Sequence, residues 1–288
     1  MKSFKTVTKL AVVGGAVVWL AQAALAGVPL NNLEGVGGVA FNPLAYVSGQ
    51  NADTSSTNAL SDVISKPQFG IWDVRLGKAD VDWSALGASF TVLNRVELSY
   101  GYETIAIGDF FKGGPLQPIH KENVGAKVSL IPENWGGYAF VPAVSVGGIW
   151  KYTDKVIVGP HDQSVDYYAV ATKLVTQTPL PLLLSAGALS SQEQVTGAAG
   201  FDSQRKVTGF ANADVILPLS IAVGIEYKQG EKYSDFQNAN YWDAHLAWLA
   251  NKNLTLVAAY VNTGDYKVGD VKPFGLGEGV VLSAQYAF

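Results

Sequence analysis

Residues 95–103 read RVELSYGYE, and the alternation in this stretch decides the fold class. Even-numbered positions here are apolar or aromatic, whereas odd-numbered positions are charged or small. Successive side chains of a β-strand point to opposite faces of the sheet, so this strand has one apolar and one polar face. The stretch predicts a strand between an apolar and a polar environment.

The same alternation returns down the chain and yields twelve candidate strands. Each is about as long as the 9–11 residues that cross a bilayer at a steep tilt. A soluble sandwich also alternates, but the connections favour a membrane barrel. From the second strand onward, short connections alternate with longer ones, as in outer-membrane barrels. The short connections are residues 93, 132–136, 177–181, 216–219 and 251–253, and the longer ones are 105–121, 152–164, 193–203, 231–239 and 264–277. The predicted strands are 68–78, 81–92, 94–104, 122–131, 137–151, 165–176, 182–192, 204–215, 220–230, 240–250, 254–263 and 278–288.

Composition supports an exported membrane protein and excludes several chemistries. Only 15% of the residues are charged, against about 25% in an average soluble domain. The absence of cysteine excludes disulfides, thiolate metal sites and cysteine nucleophiles. The acidic balance provides no basic footprint for nucleic acid. Residues 1–26 combine three lysines, an apolar run and Ala24-Leu25-Ala26, which predicts a signal peptide cleaved after Ala26.

Residues 280–288 continue the alternation and place Tyr286 and Phe288 on one apolar face. This stretch resembles the sorting signal of Gram-negative outer-membrane proteins, which the barrel-assembly machinery recognises. The resemblance implies a multi-pass barrel in the bacterial outer membrane, with membrane lipid and the assembly machinery as partners. We therefore predict an all-β chain, namely a transmembrane antiparallel β-barrel over residues 67–288.

Residues 27–66 do not follow the strand pattern and have three interpretations. They form a periplasmic tail, a plug inside the lumen, or two further strands that raise the count to fourteen. The segment is too apolar for a free tail, so we favour the plug. Its candidate plug residues are Val39, Phe41, Asn42, Pro43, Leu44 and Tyr46.

Residues 35–46, GVGGVAFNPLAY, resemble the opening of an uncharacterised bacterial family, domain of unknown function 3034. Within this stretch, residues 42–45 are also similar to a motif in the N-terminal hatch of FadL-type fatty-acid transporters. The first resemblance agrees with the length of the chain and its barrel-like remainder. Neither resemblance assigns a solute.

Strand parity predicts which polar side chains line the lumen, and their charges nearly balance. No single-sign ring indicates a strong ion filter. We expect a porin-like passive channel for small solutes, narrowed by residues 27–66. The alternatives are a FadL-like transporter of hydrophobic solutes and a non-conducting structural or partner-binding barrel. The candidate pore-lining residues are Asp73, Arg75, Arg95, Glu97, Glu103, Lys127, Lys206, Asp214, Glu226, Lys228, Asp243 and His245.

Catalysis is not expected from this sequence. A nucleophile needs a base within hydrogen-bond reach, and the chain has no GxSxG elbow. Asp243 and His245 share a strand face but lack an evident serine partner. No cofactor and no metal is expected either, since the three histidines are far apart in the sequence.

Overall fold

The computed structural model describes residues 29–49, 63–108, 116–265 and 273–288. The predicted signal peptide and its cleavage after Ala26 lie outside the described residues, and so do residues 50–62. In the described part of the chain, no helix is long and apolar enough to span a membrane.

Twelve antiparallel strands form a closed barrel. Each predicted strand is found, so the prediction of a twelve-strand barrel is confirmed. Two strand starts differ most from the prediction: β4 begins at Leu116 instead of residue 122, and β5 begins at Ala143 instead of residue 137, because the preceding Pro142 has no N–H for the ladder. The strands are β1 (Gln68–Leu76), β2 (Val81–Val92), β3 (Val96–Ile107), β4 (Leu116–Ile131), β5 (Ala143–Thr153), β6 (Gln163–Val175), β7 (Leu182–Gln194), β8 (Gly200–Leu217), β9 (Ile221–Lys228), β10 (Tyr241–Asn251), β11 (Leu254–Asn262) and β12 (Glu278–Ala287).

The first and last strands close the barrel directly. β1 pairs with β12 from Gln68↔Ala287 to Leu76↔Gly279, and every other pair joins strands consecutive in sequence. The fourteen-strand alternative is therefore wrong. A closed ladder leaves no strand edge with unpaired N–H and C=O groups, which is the condition for a sheet in lipid.

The connections define two ends of the barrel. The turn end carries residues 93–95, 132–142, 176–181, 218–220 and 252–253, and the loop end carries the other six connections. The predicted long loop at 193–203 is wrong, since only residues 195–199 separate β7 from β8. Two left-handed residues, Val195 and Thr196 (φ 53° and 56°), make this tight connection possible.

The outward face is largely apolar, and the inward face carries the buried charged side chains together with an apolar cluster near the loop end. Exposed outward side chains include Ile71, Leu86 and Ile225, whereas Glu103 and Lys121 are fully buried inside. Aromatic side chains flank the apolar band. Trp242 and Tyr260 pair at the loop end with ring centroids 5.8 Å apart, and Phe69, Phe288 and Tyr286 meet at the turn end. Such girdles suit the two interfaces of a bilayer.

Candidate functional site in the lumen

Residues 29–49, here called the inner segment, lie inside the barrel against glycines of its wall. Gly87 and Gly101 are register partners on β2 and β3. A Cβ on Gly101 would lie 2.4 Å from the Glu34 carbonyl oxygen, and one on Gly87 would lie 2.7 Å from the Gly35 Cα. Gly35 itself has φ +83°, which favours glycine. The two wall glycines therefore form a slot that the backbone of the inner segment fills.

A buried ion pair on the wall holds two parts of the inner segment. Glu97 and Lys127 lie 3.0 Å apart, and both are 1% exposed. Glu97 accepts hydrogen bonds from the N–H groups of Gly37 (2.8 Å) and Ser48 (2.7 Å). Lys127 donates to the carbonyls of Gly37 (2.9 Å) and Leu44 (3.1 Å). A buried ion pair is favourable only when its remaining hydrogen-bonding capacity is satisfied, and backbone groups of the segment contribute to that here.

A second carboxylate, Glu226 on β9, binds one turn of the segment. It accepts the consecutive backbone N–H groups of Ala40 (3.2 Å), Phe41 (2.9 Å) and Asn42 (2.8 Å). Successive N–H groups that converge in this way form an anion-binding concavity. The Asn42 side chain also donates to the Tyr227 carbonyl at 3.0 Å. The wall thus supplies the anion and the segment supplies the donors.

Near the loop end, Glu34 joins a network of buried charges. Lys151 contacts Glu34, Glu193 and Asp166, the last at 2.9 Å. Lys121 lies 3.4 Å from Glu34. Burial alone would raise the pKa of Glu34, but the ammonium groups of Lys151 and Lys121 outweigh it and hold that pKa below its ordinary value. The network is completed by Lys121–Glu103 at 2.9 Å and Lys228–Glu193 at 2.8 Å.

Other contacts attach the inner segment to strands all around the barrel. Asn31 accepts from the Trp72 indole at its carbonyl (3.0 Å), and the hydroxyls of Ser48 and Ser89 lie 2.7 Å apart. Tyr46 donates to Glu133 at 3.0 Å, and burial together with this carboxylate raises the pKa of the Tyr46 phenol. Leu44 packs against apolar side chains of β6, β7 and β8. Hydrogen bonds from the segment reach β1, β2, β3, β4, β5, β6, β8, β9 and β12.

His245 on β10 is held between two carboxylates. Its Nε2 lies 2.7 Å from Asp214 Oδ1, and its Nδ1 lies 2.7 Å from Asp243 Oδ1. Because carboxylate oxygens only accept, both ring nitrogens donate and the imidazole carries a positive charge. Neither nitrogen is then available as a base for a hydroxyl nucleophile. Gly224 makes room for this arrangement, since a Cβ there would lie 2.4 Å from Asp214 Oδ1.

Apolar side chains from several connections cover the lumen at the loop end. Phe236 and Phe274 pack with ring centroids 5.7 Å apart. Ile157, Val195 and Ala198 belong to the same cluster, which continues down the inner faces of β1 and β2. At the turn end, by contrast, the segment and the wall enclose a cavity of about 480 Å³ that Tyr46, Glu133 and Lys173 line. The two ends of the lumen therefore differ in polarity.

The candidate pore-lining residues do not all line the lumen. For three of them the prediction is wrong, because their side chains do not face the lumen. Asp73 and Arg75 point outward on β1, with side chains 47% and 53% exposed, and pair with each other at 3.0 Å. Arg95 is exposed in the turn at 93–95. The buried inward side chains are Glu97, Glu103, Lys127, Asp214, Glu226, Asp243 and His245. Lys228 and Lys206 are inward but only partly buried, and Lys206 donates to Gln204.

The error at β1 has a physical cause. We had assumed that the polar side chains of each strand face the lumen. On β1 the apolar residues face it instead, because Trp72, Val74 and Leu76 pack against the apolar cluster of the loop end. Their polar neighbours in sequence then point outward near the expected membrane interface. Five charged residues of the lumen were not predicted. One of them, Glu34, could have been found, since it is the only charged residue in 29–49. The other four are Lys121, Lys151, Asp166 and Glu193.

Comparisons with known proteins identify a family and weak structural likenesses. A family model described as "Protein of unknown function (DUF3034)" matches residues 27–283, while no curated protein matches the chain. The NanC porin structure shares 10% identity over 76% of this chain and 99% of its own, with a TM-score of 0.49. The COG4313 outer membrane channel from Pseudomonas putida F1 shares 11% over 82% and 98%, with a TM-score of 0.45.

An enzyme is also among these likenesses. The Salmonella typhi outer membrane phospholipase shares 7% identity over 81% of this chain and 94% of its own, with a TM-score of 0.41. Likenesses at this level carry no inference about function. The function has to be argued from the lumen itself.

Proposed function

Because the chain belongs to the DUF3034 family, whose function is unknown, we propose from its own residues that it is an outer-membrane channel for small solutes. In this proposal the inner segment is a plug that closes the pathway, and its displacement opens it. The apolar outward face and its aromatic girdles support a location in the membrane. Membrane lipid and the barrel-assembly machinery, the latter through Tyr286 and Phe288, remain the expected partners.

One observation carries the proposal: wall charges hold the inner segment through its backbone. Glu97, Lys127 and Glu226 all bond to main-chain groups of residues 37–48. Water can replace such donors and acceptors when the segment leaves, so the exposed wall is wettable. A barrel built only for rigidity would gain more from apolar packing, since replacing a buried ion pair with apolar residues is often stabilising.

The hydrophobic-solute alternative has less support from the described residues. Strand alternation over the predicted strand 137–151 would place Ala139 and Val141 on the inner face as part of an apolar surface, but both residues lie in the turn at 132–142, outside the strands. An apolar pocket beside Leu44 and Leu183 measures about 40 Å³, which is room for only a few water molecules at about 10–15 Å³ each. Enzyme activity is also not proposed, since both nitrogens of His245 are engaged by carboxylates.

Planar-bilayer recording of full-length protein tests the channel. Gly87→Val with Gly101→Val, here called the slot variant, fills the slot and leaves every lumen charge in place. We expect wild-type protein to open rarely and the slot variant to conduct steadily, because a Cβ cannot share the space of residues 34 and 35. The control is Gly209→Val, where a Cβ meets no atom closer than 3.9 Å.

Folding of each variant is checked by heat-modifiable migration on denaturing gels. No conductance from the slot variant in folded, well-inserted protein would overturn the proposal and favour a structural barrel. Steady conductance of the wild type at the level of the slot variant would overturn the role of the inner segment as a plug.

A further inference from the structure

We propose that the cavity at the turn end is a binding site for a small neutral polyhydroxyl solute, such as a monosaccharide, and that this solute holds the inner segment in its docked position. The cavity measures about 480 Å³, within the range of about 300–1,000 Å³ that is typical of ligand pockets. Its lining comes from the inner segment, from inward side chains of the wall and from the turn at 132–142. The complete cavity therefore exists only while the inner segment is docked.

The cavity carries no net charge. Glu133 and Lys173 are the only charged side chains among the described residues that line it, and they form an ion pair at 2.8 Å. Glu133 also accepts from the hydroxyl of Tyr46 (3.0 Å) and from the N–H of Leu174 (2.7 Å). Because the two charges neutralise each other, neither a cation nor an anion finds an unpaired counter-charge here. A zwitterion would have to displace this ion pair.

Other polar groups of the cavity have hydrogen-bonding capacity to spare. Gln68 on β1 is 1% exposed, and its Oε1 has no hydrogen-bond partner among the described residues. A buried acceptor without a donor is costly. Lys173 donates to Glu133 and to Asn134 Oδ1, both at 2.8 Å, which leaves the third N–H of its ammonium group. The hydroxyl of Ser129 lines the same cavity. The cavity thus offers separate places for a donor and for an acceptor.

The hydroxyl is the group that fits both places without adding charge. Each hydroxyl donates one hydrogen bond and accepts up to two, so a polyhydroxyl solute can donate to Gln68 and accept from Lys173. Its C–H groups can pack against the apolar part of the lining, which includes Leu30, Leu44 and Leu174. A purely apolar solute would leave the acceptor of Gln68 unpaired. The combination favours a small sugar or polyol.

Binding of such a solute is coupled to docking of the inner segment. Residues 44–49 of the segment line the cavity, and Tyr46 among them contacts the ion pair at Glu133. A ligand that binds only the docked state lowers the population of the released state by a factor of one plus the ratio of its concentration to its Kd. In terms of the channel proposed above, the solute is a ligand of the closed state. The turn end is the expected periplasmic side of an outer-membrane barrel.

Calorimetric titration of full-length protein in detergent micelles with glucose, and separately with alanine as a zwitterion, tests the site. We expect saturable binding of glucose and none of alanine. Gln68→Leu removes the unpaired acceptor and should weaken glucose binding by about fivefold, the effect of one hydrogen bond. Lys173→Met removes the spare donor and should weaken it as well. Gln163→Leu, at an exposed glutamine of the loop end, is the matched control and should leave the affinity unchanged.

The coupling is measured by maleimide labelling of Val36→Cys protein, since Val36 is 1% exposed in the docked segment. Glucose at ten times its Kd should slow labelling about tenfold. The same glucose concentration should slow it only about threefold when Gln68→Leu is added, because the Kd is then about fivefold higher. Alanine at that concentration should have no effect.

The outcomes separate this inference from the channel proposal. Absence of saturable glucose binding to folded wild-type protein overturns the site, and binding of alanine in place of glucose overturns the neutral class of solute. Glucose affinity that is unchanged in both Gln68→Leu and Lys173→Met, each checked for folding by heat-modifiable migration, overturns the assignment to this cavity. Labelling that glucose does not slow overturns the coupling to the inner segment. Conductance enters none of these measurements, so the planar-bilayer recording above decides the channel proposal independently.

Discussion

Replacing Glu226 with alanine should release the inner segment, and the size of the effect follows from its contacts. The substitution leaves the backbone N–H groups of residues 40–42 without their shared acceptor. Each buried donor without a partner costs about 1–3 kcal/mol. The three bonds converge on one carboxylate and are not additive, and the loss of a like charge opposite Asp243 offsets part of the cost.

We therefore expect docking of the segment to weaken by about 3 kcal/mol, near the lower end of the sum. That corresponds to a rise of roughly 100-fold in the population of the released state. Glu226→Gln keeps one acceptor oxygen and should give a smaller rise.

The natural absence of cysteine provides a direct assay. Val36 is 1% exposed and packs against inward side chains of the wall, so Val36→Cys reports release of the segment. Labelling by a charged maleimide should be slow in this background and about 100-fold faster with Glu226→Ala added. Asp82→Ala on the outward face is the matched control and should not change the rate. Equal rates with and without Glu226 would refute the reasoning.

Three further predictions concern the wall and the segment. Ile225→Arg, on the lipid face and 62% exposed, should destabilise the barrel in vesicles by about 2–4 kcal/mol if it lies near the bilayer midplane; urea titration that shows no loss would contradict a lipid-facing β9. Gly224→Ala, on the inward face, should also be destabilising, since its Cβ would lie 2.4 Å from Asp214 Oδ1; a neutral result would mean that the lumen has room there. Finally, docking of the segment should weaken as the pH falls below 4.5, the ordinary pKa of a glutamate. The depressed pKa of Glu34 contributes stability that is present above that pH and is lost as the carboxylate is protonated. Maleimide labelling of the Val36→Cys protein from pH 7 to pH 3, with each rate divided by the rate of the urea-unfolded protein at the same pH because the thiolate is the reactive form, measures this. Glu34→Gln should flatten the profile, and an unchanged profile in that variant would refute the role of Glu34.

The sequence was sufficient to predict the barrel because period-two alternation is local. Alternation in stretches such as 95–103 and 221–228 locates strands without knowledge of their neighbours. All twelve strands were found for this reason. Strand ends were less predictable. β7 and β8 extend into the region predicted as a loop and pair as far as Gln194↔Gly200.

The candidate site was predicted only in part, because it depends on what packs against the wall. Parity placed Glu97 and Glu226 inward, but the alternation does not show that backbone groups of residues 37–48 bind them. Parity failed at Asp73 and Arg75, where an apolar cluster assembled from distant loops reverses the usual pattern. The slot at Gly87 and Gly101 was also invisible, since a glycine in a strand does not reveal which backbone approaches it.

A reversible covalent lock tests most directly whether movement of the inner segment opens the channel. The hydroxyl oxygens of Ser48 and Ser89 lie 2.7 Å apart, so cysteines at both positions are close to the sulfur separation of a disulfide, about 2.05 Å. We predict that full-length Ser48→Cys/Ser89→Cys protein forms this disulfide in the folded barrel and shows no channel openings in a planar bilayer. Reduction with dithiothreitol should restore the openings. Openings that persist at the same frequency in the oxidised protein would contradict the account.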